Sequence, residues 1–133
     1  MSAPGYDADE LHALAELGYA LQAEGRLADA RVLFEGLAAV DPRGEAAWRA
    51  LAMIAAHEQR WQDVETLTSA ALERRPGIAA RLLRAESRWR SGRLAEAAHD
   101  LEAIARAPAH DEDELAMQRR AAALHAHWRR PAG

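Results

Sequence analysis

The chain has 133 residues, no cysteine, no lysine among its 17 basic positions and a formal net charge of −4. These totals exclude a disulfide, a thiolate nucleophile, a Schiff-base or phosphate-loop lysine, and a general electrostatic grip on nucleic acid. Half of the residues are hydrophobic but only 5% are aromatic, and alanine, the strongest helix former, supplies about a quarter, so the expected class is all-α.

The start, Met1-Ser2-Ala3-Pro4-Gly5, lacks a basic stretch followed by an apolar one, and no apolar run approaches the ~18 residues of a membrane span. The expectation is a cytoplasmic protein forming one domain over residues 1–133. Asp7 with Glu10 makes a D-x-x-E helix start, and Leu11, Leu14, Leu17, Gly18 and Leu21 follow at helical spacing up to Gly25, a helix stop. Leu27, Ala30, Leu33, Phe34 and Leu37 give a second helix ending before Asp41-Pro42. A third, over about 44–57, carries Trp48, Leu51 and Ala52; a fourth, over about 61–74, carries Trp61, Val64 and Leu67 before Pro76. The fifth and sixth run over about 78–91 and 94–106. After Pro108, Asp111 with Glu114 starts a seventh helix to about Trp128, expected to pack through Leu115, Leu124 and Trp128 on the third unit.

One unit is written three times. Gly25-Arg26-Leu27-Ala28-Asp29-Ala30 returns as Gly92-Arg93-Leu94-Ala95-Glu96-Ala97, with Gln59-Arg60-Trp61-Gln62-Asp63-Val64 midway. A period near 34 residues is that of a helix-turn-helix repeat. The first unit resembles a tetratricopeptide repeat, through Leu14-x2-Leu17-Gly18-x2-Leu21, Ala30-x3-Phe34 and Pro42. The second keeps Trp48, Leu51, Ala52, Trp61 and Pro76 but has Val64 and Thr68 where alanine and phenylalanine are usual; the third keeps Gly92, Leu94, Ala97 and Leu101.

The resemblance implies repeats at 8–42, 43–76 and 77–108, a capping helix at 111–129, and a right-handed superhelix whose first helices line a concave groove. It sets Gly18 against Ala30 for close helix approach, with Leu17 and Phe34 filling the space toward the next pair.

A narrower likeness rests on Leu17-Gly18-Tyr19-Ala20-Leu21, Leu33-Phe34-Glu35-Gly36-Leu37, Val40-Asp41 and Ala85-Glu86-Ser87. These are similar to the three-repeat, translocator-type chaperones of bacterial type III secretion. The implied function is a protein-binding chaperone or adaptor, not an enzyme, holding an extended segment of a secreted protein, with no cofactor, nucleic acid or membrane partner. The alternatives are a structural repeat subunit or a needle-subunit co-chaperone docked in a larger assembly. Those chaperones carry an extra helical segment before the first repeat, where this chain has about nine residues, so no oligomeric state carries over.

The repeat register puts Ala15, Tyr19 and Gln22 on the groove side of the first unit, and Ala46, Arg49, Met53 and Ala56 in the equivalent places of the second. Leu83 and Glu86 continue the set on the third. Tyr19 and Met53 read either as a pocket for a partly apolar peptide or as ordinary packing residues. The third unit has two phases. Counting from Gly92 gives Leu82, Glu86 and Trp89 to the groove and Arg81, Arg84 and Arg88 to the core, where unpartnered arginines are costly. Counting from Pro76 gives Leu82, Ala85 and Trp89 to the core and is preferred for packing.

From Arg74 to Arg93, seven arginines meet one acid, Glu86. They read as a strip for an acidic segment or phosphate, or as a solvated helix face, which is preferred. No metal or catalytic site is expected: His125 and His127 point to different sides of a helix, and Asp111-Glu112-Asp113-Glu114 suits a helix start better than a calcium loop.

Overall fold

The computed structural model describes residues 5–129, so the Met1–Pro4 start lies outside the described residues. Among them are seven helices and no strand: α1 (Ala8–Ala23), α2 (Leu27–Val40), α3 (Glu45–His57), α4 (Trp61–Arg74), α5 (Ile78–Arg90), α6 (Leu94–Arg106) and α7 (Glu112–Trp128). Helices pair as α1–α2, α3–α4 and α5–α6, and each pair packs on the next.

Local chemistry sets the ends. The Asp7 carboxylate accepts from the Glu10 amide at 2.8 Å, and Asp111 accepts from the Glu114 amide at 2.8 Å. Glu114 returns the favour, its carboxylate accepting from the His110 amide at 2.9 Å. Within each pair the first helix closes the same way. The amides of Arg26, Arg60 and Arg93 donate five residues back, to Leu21, Ala55 and Arg88, at 2.8–2.9 Å. That closure needs a left-handed residue, which is Gly25, Gln59 and Gly92 in turn, with φ of 77°, 57° and 80°. The following arginine then pairs with the acid three residues on: Arg26 with Asp29, Arg60 with Asp63, Arg93 with Glu96.

The core falls into two apolar clusters. One joins Ala30, Phe34, Leu37, Ala47, Ala50, Leu51 and Ile54; the other joins Ile78, Ala85, Leu101, Ile104 and Ala121. Burying the leucine, isoleucine and phenylalanine side chains among them contributes roughly 1.5–3 kcal/mol each, the alanines less. Val64 and Thr68, which depart from the repeat pattern, are fully buried, and the Thr68 hydroxyl donates to the Val64 carbonyl at 2.7 Å.

Close approach at Gly18 involves the ring of Phe34, which lies over it; a Cβ there would sit 2.5 Å from the ring. One expectation about packing changes. Leu17 does not fill the space toward the next pair; it is 52% exposed on the open side of α1. The seventh helix packs through Leu124 and Trp128 as expected, but not through Leu115. Met117, Ala121, Leu124 and Trp128 meet the third pair, whereas Leu115 is exposed, because positions 117, 121, 124 and 128 share one helix face and 115 lies off it. Trp128 stacks on Trp89 with ring centroids 4.5 Å apart, and the Gln118 amide donates to the carbonyls of Ile104 in the last turn of α6 and of Ala107 just after it.

Candidate peptide-binding face

The first helices α1, α3 and α5 touch in succession and form one wall of the array. On α1, Ala15, Tyr19 and Gln22 are half-buried; on α3, Ala46, Arg49 and Ala56 are half-buried and Met53 is 44% exposed. The Tyr19 ring is held in place by Phe34, centroids 5.3 Å apart and tilted by 50°. Arg49 donates from Nε to Glu45 at 3.1 Å one turn earlier. Burial by itself disfavours the Arg49 charge, but Glu45 outweighs it and holds the guanidinium above its ordinary value, with a smaller contribution from Tyr19. Arg49 is therefore a cation oriented by Glu45. A cavity of about 700 Å³ lies where α3, α5 and α7 begin, with Glu45, Arg49, Arg75, Arg81, Asp113 and Met117 in its lining.

The third unit contributes differently. Leu82 packs into the second apolar cluster and Trp89 lies under Trp128, so α7 covers this part of the wall. Glu86 is half-buried between Arg90 at 3.7 Å and Arg120 of α7 at 3.8 Å. Leu83 is half-buried and belongs to neither apolar cluster. The wall is thus open over the first two units only.

Three arginines of the arginine-rich stretch, Arg81, Arg84 and Arg88, turn inward rather than toward solvent, whereas Arg75, Arg90 and Arg93 are exposed. The Asp100 carboxylate, fully buried, receives Arg84 through Nε at 3.1 Å and Nη2 at 2.8 Å, and Arg88 through Nη1 at 2.8 Å, with Arg81 at 3.5 Å. Arg84 also reaches Ser69 at 3.2 Å, and Glu65 pairs with Arg88 and Arg93. Arg74 lies over the Trp48 ring at 4.4 Å and Arg90 over Trp61 at 4.8 Å. The third unit thus combines the two counts: Leu82 and Ala85 pack in its apolar cluster and Trp89 lies under Trp128, as the count from Pro76 expects, while Arg81, Arg84 and Arg88 are drawn inward onto Asp100, a partner that neither count supplies. The one sequence signal for that partner is an aspartate in an apolar slot, beside Ala97 and Leu101 and level with Leu67 one repeat earlier.

On the opposite side, α2 and α4 flank a cleft of about 670 Å³ with Trp48 and Leu51 in its lining. Among the described residues no His, Asp and Glu side chains group as a metal site, and no helix is long and apolar enough to cross a membrane.

No family model matches this sequence, and no curated protein matches it. Solved structures do match in shape. The Yersinia enterocolitica type III secretion chaperone SycD, in complex with a peptide of the translocator YopD, superposes with a TM-score of 0.83 at 18% identity, over 91% of this chain and 93% of that one. PcrH, in complex with the chaperone binding region of PopD, gives 0.82 at 20% identity over 92% and 93%. The first tetratricopeptide domain of Spaghetti, bound to an HSP90 peptide, gives 0.74 at 17% identity over 92% and 98%. The chain has the tetratricopeptide-type helical-repeat fold.

Proposed function

We propose that this chain is a binding scaffold and not an enzyme, a cytoplasmic chaperone that holds an extended, partly apolar segment of a type III secreted protein. The observation that carries the reading is the open wall of Tyr19, Arg49 and Met53 on two successive first helices, in a fold shared with two translocator chaperones solved with such segments. Tyr19 supplies apolar area with little ordering cost, since Phe34 already holds its ring. Met53 adapts to varied side chains. Arg49, oriented by Glu45, offers its remaining donors to a client carboxylate or backbone carbonyl. Ala15, Gln22 and Ala56 border the same path, which ends where α7 covers Leu82 and Trp89.

The test is co-expression with the translocator-type secreted proteins of the same organism, scored by recovery of a soluble complex. Met53→Glu with Gln22→Ala alters the wall; Glu73→Ala with Glu102→Ala alters exposed positions on the second helices α4 and α6. Client is expected to be lost from the first pair alone, with unchanged melting. Recovery of client by the wall variant and its loss from the control variant overturn the reading.

A further inference from the structure

The two terminal helices each leave one face open, and the two faces are complementary. On α1, Glu10, Ala13, Leu17, Ala20 and Glu24 form an exposed stripe, with Glu16 at its edge. Leu17 occupies the register position of Leu51 on α3 and Arg84 on α5. Leu51 is buried in the cluster it shares with α2, and Arg84, nearly buried, reaches Ser69 of α4, so each meets the preceding pair. The α1 stripe is thus the repeat-stacking surface itself, continuous with the interfaces inside the array. It is also acidic: no arginine lies between residues 5 and 25, while Asp9, Glu10, Glu16 and Glu24 do, with His12 beside Glu16 and Arg26 reaching back to Glu24 at 3.9 Å.

At the other end α7 turns Met117, Ala121, Leu124 and Trp128 inward and exposes Leu115, Ala116, Arg119, Ala122, Ala123 and Ala126 on the opposite side. Beyond its first turn α7 has no carboxylate, and Arg119, Arg120 and Arg129 are exposed. An alanine-lined surface admits a leucine knob at close helix approach.

We propose that the chain associates with itself head to tail, the outer stripe of α7 in one copy packing on the outer stripe of α1 in the next, with Leu17 seated among the α7 alanines. Charge selects this pairing. Two α1 stripes facing each other would oppose glutamates to glutamates, whereas α1 against α7 beyond its first turn sets part of the acidic stripe against Arg119 and Arg129. A contact between unlike faces does not close at two copies, so assembly continues as concentration rises. A single helix-on-helix contact is small beside the ~1,600 Å² of a standard interface, so the association is weak and salt-sensitive. It extends the repeat array without covering Tyr19 or Met53, and it stands whatever the client is.

Sedimentation velocity over a concentration series tests it, with folding of each variant checked by circular dichroism. Leu17→Arg blocks the α1 face and Ala123→Glu blocks the α7 face; Ala20→Arg and Arg119→Glu replace them if either unfolds. The wild-type average mass is expected to rise past that of a dimer and to fall back at high salt. Each variant alone stays monomeric, a weakening of about tenfold or more. An equal mixture of the two forms a one-to-one dimer and nothing larger, since each supplies the face the other lacks. A wild type that is monomeric throughout overturns the proposal. So does an Ala123→Glu variant that dimerises alone, which assigns the α1 face to itself, or a mixture that stays monomeric.

Discussion

Arg84 grips both carboxylate oxygens of Asp100, and the two residues stand where Leu51 and Leu67 stand one repeat earlier. The correspondence extends to Trp48 and Ala55, whose places are taken by Arg81 and Arg88. One repeat junction is thus apolar and the next ionic, on a single backbone plan. A buried acid among arginines is costly to desolvate, and breaking such a set by removing one member is costlier than replacing it whole.

Asp100→Leu alone is expected to destabilise the fold by about 3–5 kcal/mol, because three part-buried guanidiniums lose their common acceptor. The fourfold change Arg81→Trp, Arg84→Leu, Arg88→Ala and Asp100→Leu copies the first junction into the second, and most of that loss should return. Urea denaturation of the two variants decides the matter. Equal midpoints would show that the register correspondence does not extend to packing.

Gln59 adopts φ 57° at the position where the other two units use glycine. A left-handed conformation costs a side-chain-bearing residue ~1–2 kcal/mol, part of which glycine gives back through the entropy of the unfolded chain. Gln59→Gly should therefore stabilise by about 0.5–1 kcal/mol. A lowered melting temperature would refute this.

Close approach inside the pairs is tested by enlarging it. Ala30 and Ala97 are fully buried, and Gly18 lies under the Phe34 ring. Ala30→Phe, Ala97→Phe and Gly18→Ala are each expected to cost roughly 1–3 kcal/mol through overpacking, read as a shifted denaturation midpoint. Midpoints unchanged in all three would mean that these contacts are loose.

Acid sensitivity has a stated sign. Hydrogen bonds from Arg60 and Arg93 hold Glu58 and Glu96 below the ordinary glutamate value of 4.5. A group lowered in the folded state adds stability that is complete above its ordinary value and is lost as pH falls toward the native one. The melting temperature should drop as pH is taken below 4.5, and Glu58→Gln with Glu96→Gln should drop less steeply. Identical acid limbs in both proteins would remove these pairs as contributors.

Much of the architecture is written locally and could be read without coordinates. The bounds of α4 and α6 coincide with those read from periodicity, and the two D-x-x-E starts cap as expected, because capping and helical spacing depend on residues within one or two turns. Repeat register assigns Tyr19, Arg49 and Met53 to one side of the first helices, because it fixes direction around a helix. What register cannot supply is the neighbour across a junction. Asp100 lies 16 residues from Arg84 in sequence, and only packing α5 on α6 turns a costly run of arginines into a satisfied one. The same holds for α7: helical spacing predicted a cap, but whether Leu115 or Met117 faced the third pair depended on the rotation at which the helix docked. That rotation is set by the surface of α5 and α6, where Trp89 receives Trp128, and it leaves the alanine stripe facing outward. Burial and ion pairing are properties of two surfaces at once, so one strand of text carries only half of each.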